Sequence, residues 1–242
     1  MEEMRSGPSP PANVVKLSKR NFYQGLASLY LFIYINKMLN IYLARHGQDG
    51  DNVRGILNGH RDEPLTEKGI EQAHEVANKV KETGIVFDAI YSSPLKRAFN
   101  TAEIISENIN SVSPEVETLL IERDFGIMTG QKTADIEKMC APDIIKAEII
   151  TYFLNPEGAE TFPDLMKRGR TLLDKIRANH KSGNILLVTH GDIGKMIYAE
   201  YYNLDWKEVL TQFHFGNCDL LLLSQNSPAD QAHVFKILQH NQ

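Results

Sequence analysis

Arg45-His46-Gly47 stands directly behind an apolar run, Leu39 and Ile41 to Ala44. An arginine offers a planar fork of donors that suits phosphate, and an imidazole next to it offers a nucleophile or a proton carrier. The glycine lets the chain turn sharply where the run ends. This is chemistry for an anion held beside a nucleophile, although an isolated triplet reads equally well as a charged loop. Two further stretches set reactive residues behind apolar runs: Ser92-Ser93-Pro94-Leu95-Lys96-Arg97-Ala98 and Val188-Thr189-His190-Gly191-Asp192. Between them lies Leu120-Ile121-Glu122-Arg123-Asp124-Phe125-Gly126. A carboxylic acid there suits a leaving alkoxide, which needs a proton as its bond to phosphorus breaks. Taken alone, Glu122 is as well read as a surface salt-bridge residue, and His190 as a structural histidine.

The elements that must position these residues follow from the pattern. Strands are predicted at Leu39 to Ala44, Phe87 to Tyr91, Glu115 to Leu120, Asn184 to Thr189, Asn217 to Ser224 and His233 to Leu238. A helix is predicted from an N-cap at Thr66, with Ile70, Ala73, Val76, Ala77 and Val80 as its apolar stripe and Gly84 as its stop. Ser93-Pro94 is read as the cap and first position of a second helix, with Leu95, Ala98, Ala102, Ile105 and Ile109 inward. Arg97 then sits off that stripe in the first turn, where the helix dipole favours an anion. Gln48 to Glu63 reads as a long polar loop, and Lys132 to Thr151 as helical. A further helix carries Leu165, Gly169, Leu172, Leu173 and Ile176 inward, with Arg168 and Arg170 solvated. Ile193, Met196 and Ile197 mark the helix after Gly191-Asp192. Alternating strands and helices joined by short turns require a three-layer α/β/α sandwich with a mainly parallel sheet, whose strand ends are the place for ligands.

In order and spacing, the four segments resemble the histidine phosphatase superfamily, the phosphoglycerate mutase-like fold, from Leu39 to about Ser224. The resemblance implies a branch 1 phosphatase domain over residues 38–242. It implies metal-independent hydrolysis of a small phosphorylated metabolite by a histidine acid-type enzyme through a phosphohistidine, with no cofactor. His46 would be the nucleophile and Glu122 the general acid, with Arg45, Arg97 and His190 holding the phosphoryl oxygens. The substrate side would be Arg45, Asn52, Asn58, Gly59, Arg97, His190 and Gly191, and His60 and Arg61 carry a weaker claim. Pro156 to Thr161 resembles the family's Gly-Glu-Ser turn, with Thr161 in place of serine and able to cap the next helix. Met128-Thr129-Gly130 departs from the family's Trp-Glu-Gly.

Three rival readings share these residues. A mutase would return the phosphoryl group to substrate, but mutases of this family carry longer insertions than the Gly130 to Glu160 interval. A catalytically silent binding protein would usually have lost one of Arg45, His46, Arg97, Glu122 or His190. A metal held by His46 and His190 lacks a third ligand and would meet two arginines.

At 242 residues, 42% hydrophobic and 24% charged, the chain suits one domain with a substantial core and is not disordered in composition. A net charge of −5 without a basic stripe argues against a nucleic-acid partner and leaves room for a positive pocket. Cys140 and Cys218 form neither a disulfide framework nor a zinc cluster, which points to a reducing compartment, the cytoplasm. Residues 1–37 read as an N-terminal extension. Ser6 to Ala12 has the composition of a disordered segment, and Leu26 to Ile35 is shorter than the ~20 residues of a spanning helix. Met38 offers a working start before the first strand; a helix packed on the domain and a membrane or targeting segment are the other readings. His74, His180, His214, His233 and His240 have no motif around them and read as surface or core residues.

Overall fold

The computed structural model describes residues 38–235, so the readings for residues 1–37, His240 and the end of the last strand lie outside the described residues. The chain runs β1 (Leu39–Arg45), α1 (Gly50–Arg54), α2 (Glu67–Thr83), β2 (Ala89–Ser92), α3 (Lys96–Asn108) and β3 (Glu115–Val116). There follow α4 (Ile136–Cys140), β4 (Ile144–Lys146), β5 (Thr151–Phe153), α5 (Phe162–Asn179) and β6 (Gly183–Thr189). The last elements are α6 (Gly191–Tyr202), α7 (Trp206–Gln212), β7 (Leu220–Leu223) and β8 (His233–Phe235).

The main sheet has the order β3-β2-β6-β1-β7-β8. The pairs β1–β6, β2–β6 and β2–β3 are parallel, while β7 is antiparallel to both β1 and β8. Strands buried on both faces read as continuous apolar runs, and the alternation assigns the faces. Ile41, Leu43, Ile185 and Leu187 pack on one side with Leu165, Leu172 and Ile176 of α5 and Met196 and Ile197 of α6. Tyr42, Ala44, Leu186 and Val188 pack on the other with Ala73, Val76 and Val80 of α2 and Ala98, Ala102 and Ile105 of α3. This is the predicted three-layer sandwich with its mainly parallel sheet. Among the described residues no helix is long and apolar enough to cross a membrane.

Thr66 and Thr161 cap α2 and α5 as predicted, accepting from Gly69 N at 3.1 Å and Asp164 N at 3.2 Å. Gly84, at φ 70°, ends α2. Four expectations are corrected. Ser93-Pro94 does not cap α3: the helix begins at Lys96 after Leu95, and the Ser93 hydroxyl lies between Leu95 N and His190 Nε2, ahead of the first turn. The strand before Glu122 stops at Val116, because the buried Glu117 carboxylate accepts from Leu119 N and starts a tight 3-10 turn over Thr118–Leu120. The polar loop after Gly47 contains a short helix, α1, closed at its start by a reciprocal cap between Asp49 and Asn52. The segment read as helical from Lys132 is helical only to Cys140, where Pro142 follows, and then forms the β4–β5 hairpin.

Gly47 is needed for a different reason than turning. It does not adopt a left-handed conformation. A Cβ on it would lie 2.4 Å from the Gly69 carbonyl oxygen, and a Cβ on Gly69 would lie 2.1 Å from the Gln48 carbonyl oxygen. The end of β1 and the first turn of α2 therefore touch backbone to backbone. Gly69→Ala is expected to destabilise the fold by about 1–3 kcal/mol, the range for forcing extra carbon into a packed site. Thermal unfolding should show a midpoint lowered by roughly 2–4 °C per kcal/mol for a chain of this size. A variant as stable as the parent would mean that the two backbones part freely.

Candidate active site

The ends of β1 and β6 lie side by side, with Arg45 paired to Thr189 across the ladder. His46 and His190 follow directly, and their rings are 5.0 Å apart between centroids. His46 is 3% exposed and His190 fully buried. A cavity of about 570 Å³ opens on this edge of the sheet, and Arg45, His46, Asn52, Asn58, Arg97, Glu122 and Gly191 lie on its wall. Gly59 and His190 stand one step behind that wall: the Gly59 carbonyl accepts from Arg97 Nη2 at 3.0 Å, and His190 Nε2 meets Ser93 Oγ at 2.7 Å.

The imidazole of His46 is held in one tautomer. Its Nδ1 is 2.6 Å from the Gly47 carbonyl oxygen. A carbonyl can only accept, so Nδ1 carries the proton and Nε2 keeps its lone pair. Burial first, then the Arg97 and Arg45 charges, holds this histidine well below the ordinary range, so the ring is neutral at pH 7. The same causes, with His46 added, keep His190 neutral. The backbone at this corner is fixed by Asn217, whose Nδ2 donates to the His46 carbonyl at 2.9 Å, and by Thr101, which accepts from Gly47 N at 3.1 Å.

The arginines are aimed by carbonyls. Arg45 Nη1 donates to Phe215 O at 2.9 Å, and Arg97 Nη1 donates to Arg61 O at 2.6 Å. Their Nε atoms, His190 Nδ1 and Asn58 Oδ1 are all buried without a hydrogen-bond partner. Buried polar atoms are normally satisfied, so an unpartnered group on each of three cations or donors around one imidazole marks a place for an acceptor-rich anion. Asp49, fully buried, stands 3.6 Å from Arg97 Nε and 3.8 Å from His46 Nδ1, and accepts from Asn58 Nδ2 at 2.8 Å.

Glu122 faces this cluster from just beyond the 3-10 turn. Its Oε1 accepts from Arg123 N at 2.8 Å and Ile193 N at 3.2 Å, and its Oε2 from Asp192 N at 3.3 Å. The carboxyl thus covers the first turn of α6, which favours its charge. Burial outweighs that, and with the Asp192 carboxylate it raises the pKa above the ordinary value. A Cβ on Gly191 would sit 3.8 Å from both Arg45 Nε and Glu122 Oε2, so the glycine keeps the space between them clear.

Arg168 is not the solvated residue expected from its position. It is clamped between the Glu160 carboxylate, at 2.7 Å, and the carbonyls of Leu119 and Ile121, at 2.8 and 2.6 Å. It thereby sets the segment that carries Glu122. Arg170 is exposed and paired with Glu200, as a surface arginine would be. Arg61 pairs with buried Asp51 at 2.7 Å, and His60 Nε2 donates to the Glu122 carbonyl at 2.8 Å; both support the wall rather than line it. The sequence reading gave no role to Asp49, Asn217, Tyr152 or Lys195. Among the described residues no three His, Cys, Asp or Glu side chains are grouped as a metal ion would need.

The profile of the histidine phosphatase superfamily (branch 1) matches residues 41–236. Over 174 residues the chain is 29% identical to a 2,3-bisphosphoglycerate-dependent phosphoglycerate mutase of Parvibaculum lavamentivorans, covering 70% of this chain and 83% of that one. Among solved structures it is similar to the phosphoserine phosphatase of Entamoeba histolytica, at 28% identity and a TM-score of 0.62 over 76% of this chain and 90% of that one. It is also similar to a mycobacterial glucosyl-3-phosphoglycerate phosphatase, at 27% identity and a TM-score of 0.64 over 76% of this chain and 92% of that one. The fold, the paired strand-end histidines and a profile match across most of its length all agree: this chain belongs to the histidine phosphatase superfamily, branch 1, whose members carry out phosphoryl hydrolysis or transfer.

Proposed function

We propose that this chain is a metal-independent phosphomonoesterase that hydrolyses a small phosphorylated metabolite through a phosphohistidine. The observation that carries the reading is the neutral His46 ring, with Nδ1 tied to Gly47 and Nε2 free, among arginine Nε groups that have no hydrogen-bond partner. A phosphoryl dianion supplies the missing acceptors. Arg45 Nε, Arg97 Nε and His190 Nδ1 each donate to a phosphoryl oxygen as charge redistributes. The Ser93 hydroxyl, which also accepts from Leu95 N at 3.3 Å, has one proton to give; donated to His190 Nε2, it leaves the proton of that ring on Nδ1.

His46 Nε2 attacks phosphorus in line with the leaving oxygen. The N–P bond forms, the P–O bond breaks, and the proton of Glu122 goes to the departing alkoxide. Water then attacks phosphorus, Glu122 takes the water proton, and neutral His46 is released. Two arginines already balance the dianion, so the cycle has no step that calls for a metal. Water has room to enter: a cavity of about 570 Å³ exceeds a triose phosphate, and the Gly130 to Glu160 interval covers it with only a short helix and a hairpin.

The competing reading is phosphoryl transfer, favoured by the likeness to a phosphoglycerate mutase. Phosphate release across a panel of phosphorylated metabolites in EDTA separates the two. Release is expected at an undiminished rate in the chelator. Activity lost in EDTA and restored by a divalent ion would overturn the metal-free route. Interconversion of phosphoglycerates without release would give the mutase instead, and tight binding without turnover a silent relative.

A further inference from the structure

We propose that Lys195 and Tyr152 form a second anion subsite in the same cavity, built for a carboxylate on the leaving group of the substrate. The proposal rests on the phosphomonoesterase reading and names the class of its substrate as phosphorylated hydroxy acids.

Lys195 lies on α6, four residues beyond Gly191, and is 4% exposed; Tyr152, on the hairpin that covers the cavity, is 5% exposed. Both residues line the cavity. Lys195 Nζ donates to Tyr152 Oη and stands 5.0 Å from the centre of its ring. No carboxylate among the described residues lies within 4 Å of this ammonium. Two carboxylates act on it from beyond that distance: Asp192, taken by Arg123 at 2.8 Å, and Glu122, whose oxygens accept from three backbone amides. A buried charge is normally paired. Within hydrogen-bond reach this one has only a phenol.

Counting donors gives the ligand. An ammonium has three N–H groups and no acceptor, and a phenol that accepts from it keeps its own O–H to give. The pair therefore presents donors only, with a positive charge, and its complement is an acceptor-only anion. Burial draws Lys195 down to about 8, which leaves it mostly protonated at neutral pH. One ammonium, in a cavity whose wall also carries Ile149, Ile150 and Phe215, suits a monoanion, whereas the dianionic phosphoryl group has two arginines of its own. The phosphoryl group belongs at the ends of β1 and β6; the Lys195 backbone lies about 6 Å further along α6, and its ammonium is within electrostatic reach of Arg45 and Glu122. Tyr152 ties its ammonium to the covering hairpin. A substrate that spans both has its phosphate ester and its carboxylate at opposite ends of a short chain.

The test compares kcat/KM for 3-phosphoglycerate and glycerol 3-phosphate, which differ by a carboxylate, and repeats it with 4-phosphooxybutyrate and butyl phosphate. The parent enzyme should prefer the acid of at least one pair by about 10- to 100-fold, as for a hydrogen bond to a charged group. In K195M the loss should fall on the acid at least about tenfold more heavily than on its neutral partner, and K195R should restore most of the preference. Y152F should weaken the preference in the same direction. No preference in the parent enzyme at either chain length overturns the subsite without any variant. So does an equal loss on both members of a pair in K195M, which would put Lys195 in the phosphoryl cradle. If the parent enzyme also fails to release phosphate from glycerol 3-phosphate and p-nitrophenyl phosphate, it is the phosphomonoesterase reading that fails.

Discussion

His46→Ala is expected to abolish turnover, with a fall in kcat of about 10⁴-fold or more, the scale seen when an enzyme's nucleophile is removed. The size follows from how specifically this ring is prepared. Burial and the two arginine charges keep it neutral, and the Gly47 carbonyl fixes the tautomer that exposes Nε2. His190 cannot replace it, since its Nε2 is engaged by Ser93 and its remaining nitrogen is the donor in the proposed cycle. What survives in the variant is the arginine cradle, which binds phosphate without supplying a bond to phosphorus. Brief reaction of the parent enzyme with labelled substrate and a denaturing quench should trap label on the protein, acid-labile and alkali-stable as a phosphoramidate is. The variant should trap none. Turnover in His46→Ala within tenfold of the parent, or a parent enzyme that never carries label during normal single turnover, would remove the covalent route.

The strand ends were legible because parallel strands covered on both faces must be apolar throughout, and reactive residues behind such runs stand out. β1 and β6 are of this kind, and Arg45, His46 and His190 follow them directly. Caps at Thr66 and Thr161 were legible for a local reason, a hydroxyl facing the first turn. The cover over the cavity was not. Ala134 to Met139 has a helical composition, and strands of three residues, as in β4 and β5, are too short to show a period of two. Two cationic residues were misjudged or passed over although the helical spacing held a signal. Arg168 is three residues after Leu165 and four before Leu172, which puts it on the buried side of α5. Lys195 lies in a run from Ile193 to Ala199 that is buried all round, and a charge inside such a helix needs an explanation. Gly47 was placed correctly and explained wrongly, since a clash across the chain with α2 leaves no mark in the local sequence.

Glu122→Gln is expected to lower kcat by roughly 10²- to 10⁴-fold with alkyl phosphates, the usual contribution of a general acid–base group. The amide keeps the shape, and its oxygen can still accept from Arg123 and Ile193, while its NH2 replaces the oxygen that accepted from Asp192; it can neither give nor take a proton. Burial and the Asp192 charge raise the pKa of Glu122, so the acid form persists to higher pH than for an ordinary carboxyl. In the parent enzyme kcat/KM should therefore fall as pH rises through that pKa, because the proton for the leaving group is lost. It should fall again at low pH only where His46, held well below the ordinary range, becomes protonated. The variant should lack the alkaline limb and keep the acid one. With p-nitrophenyl phosphate the leaving group departs unaided, so the phosphorylation step should lose much less, while attack by water still needs a base. A burst of nitrophenol followed by a slow steady state should result. If phosphorylation by both kinds of substrate were slowed equally, Glu122 would act through charge or position alone. The proton donor would then be sought at Asp124, which is part-exposed on the same segment and whose carboxylate accepts from Gly126 N at 2.9 Å.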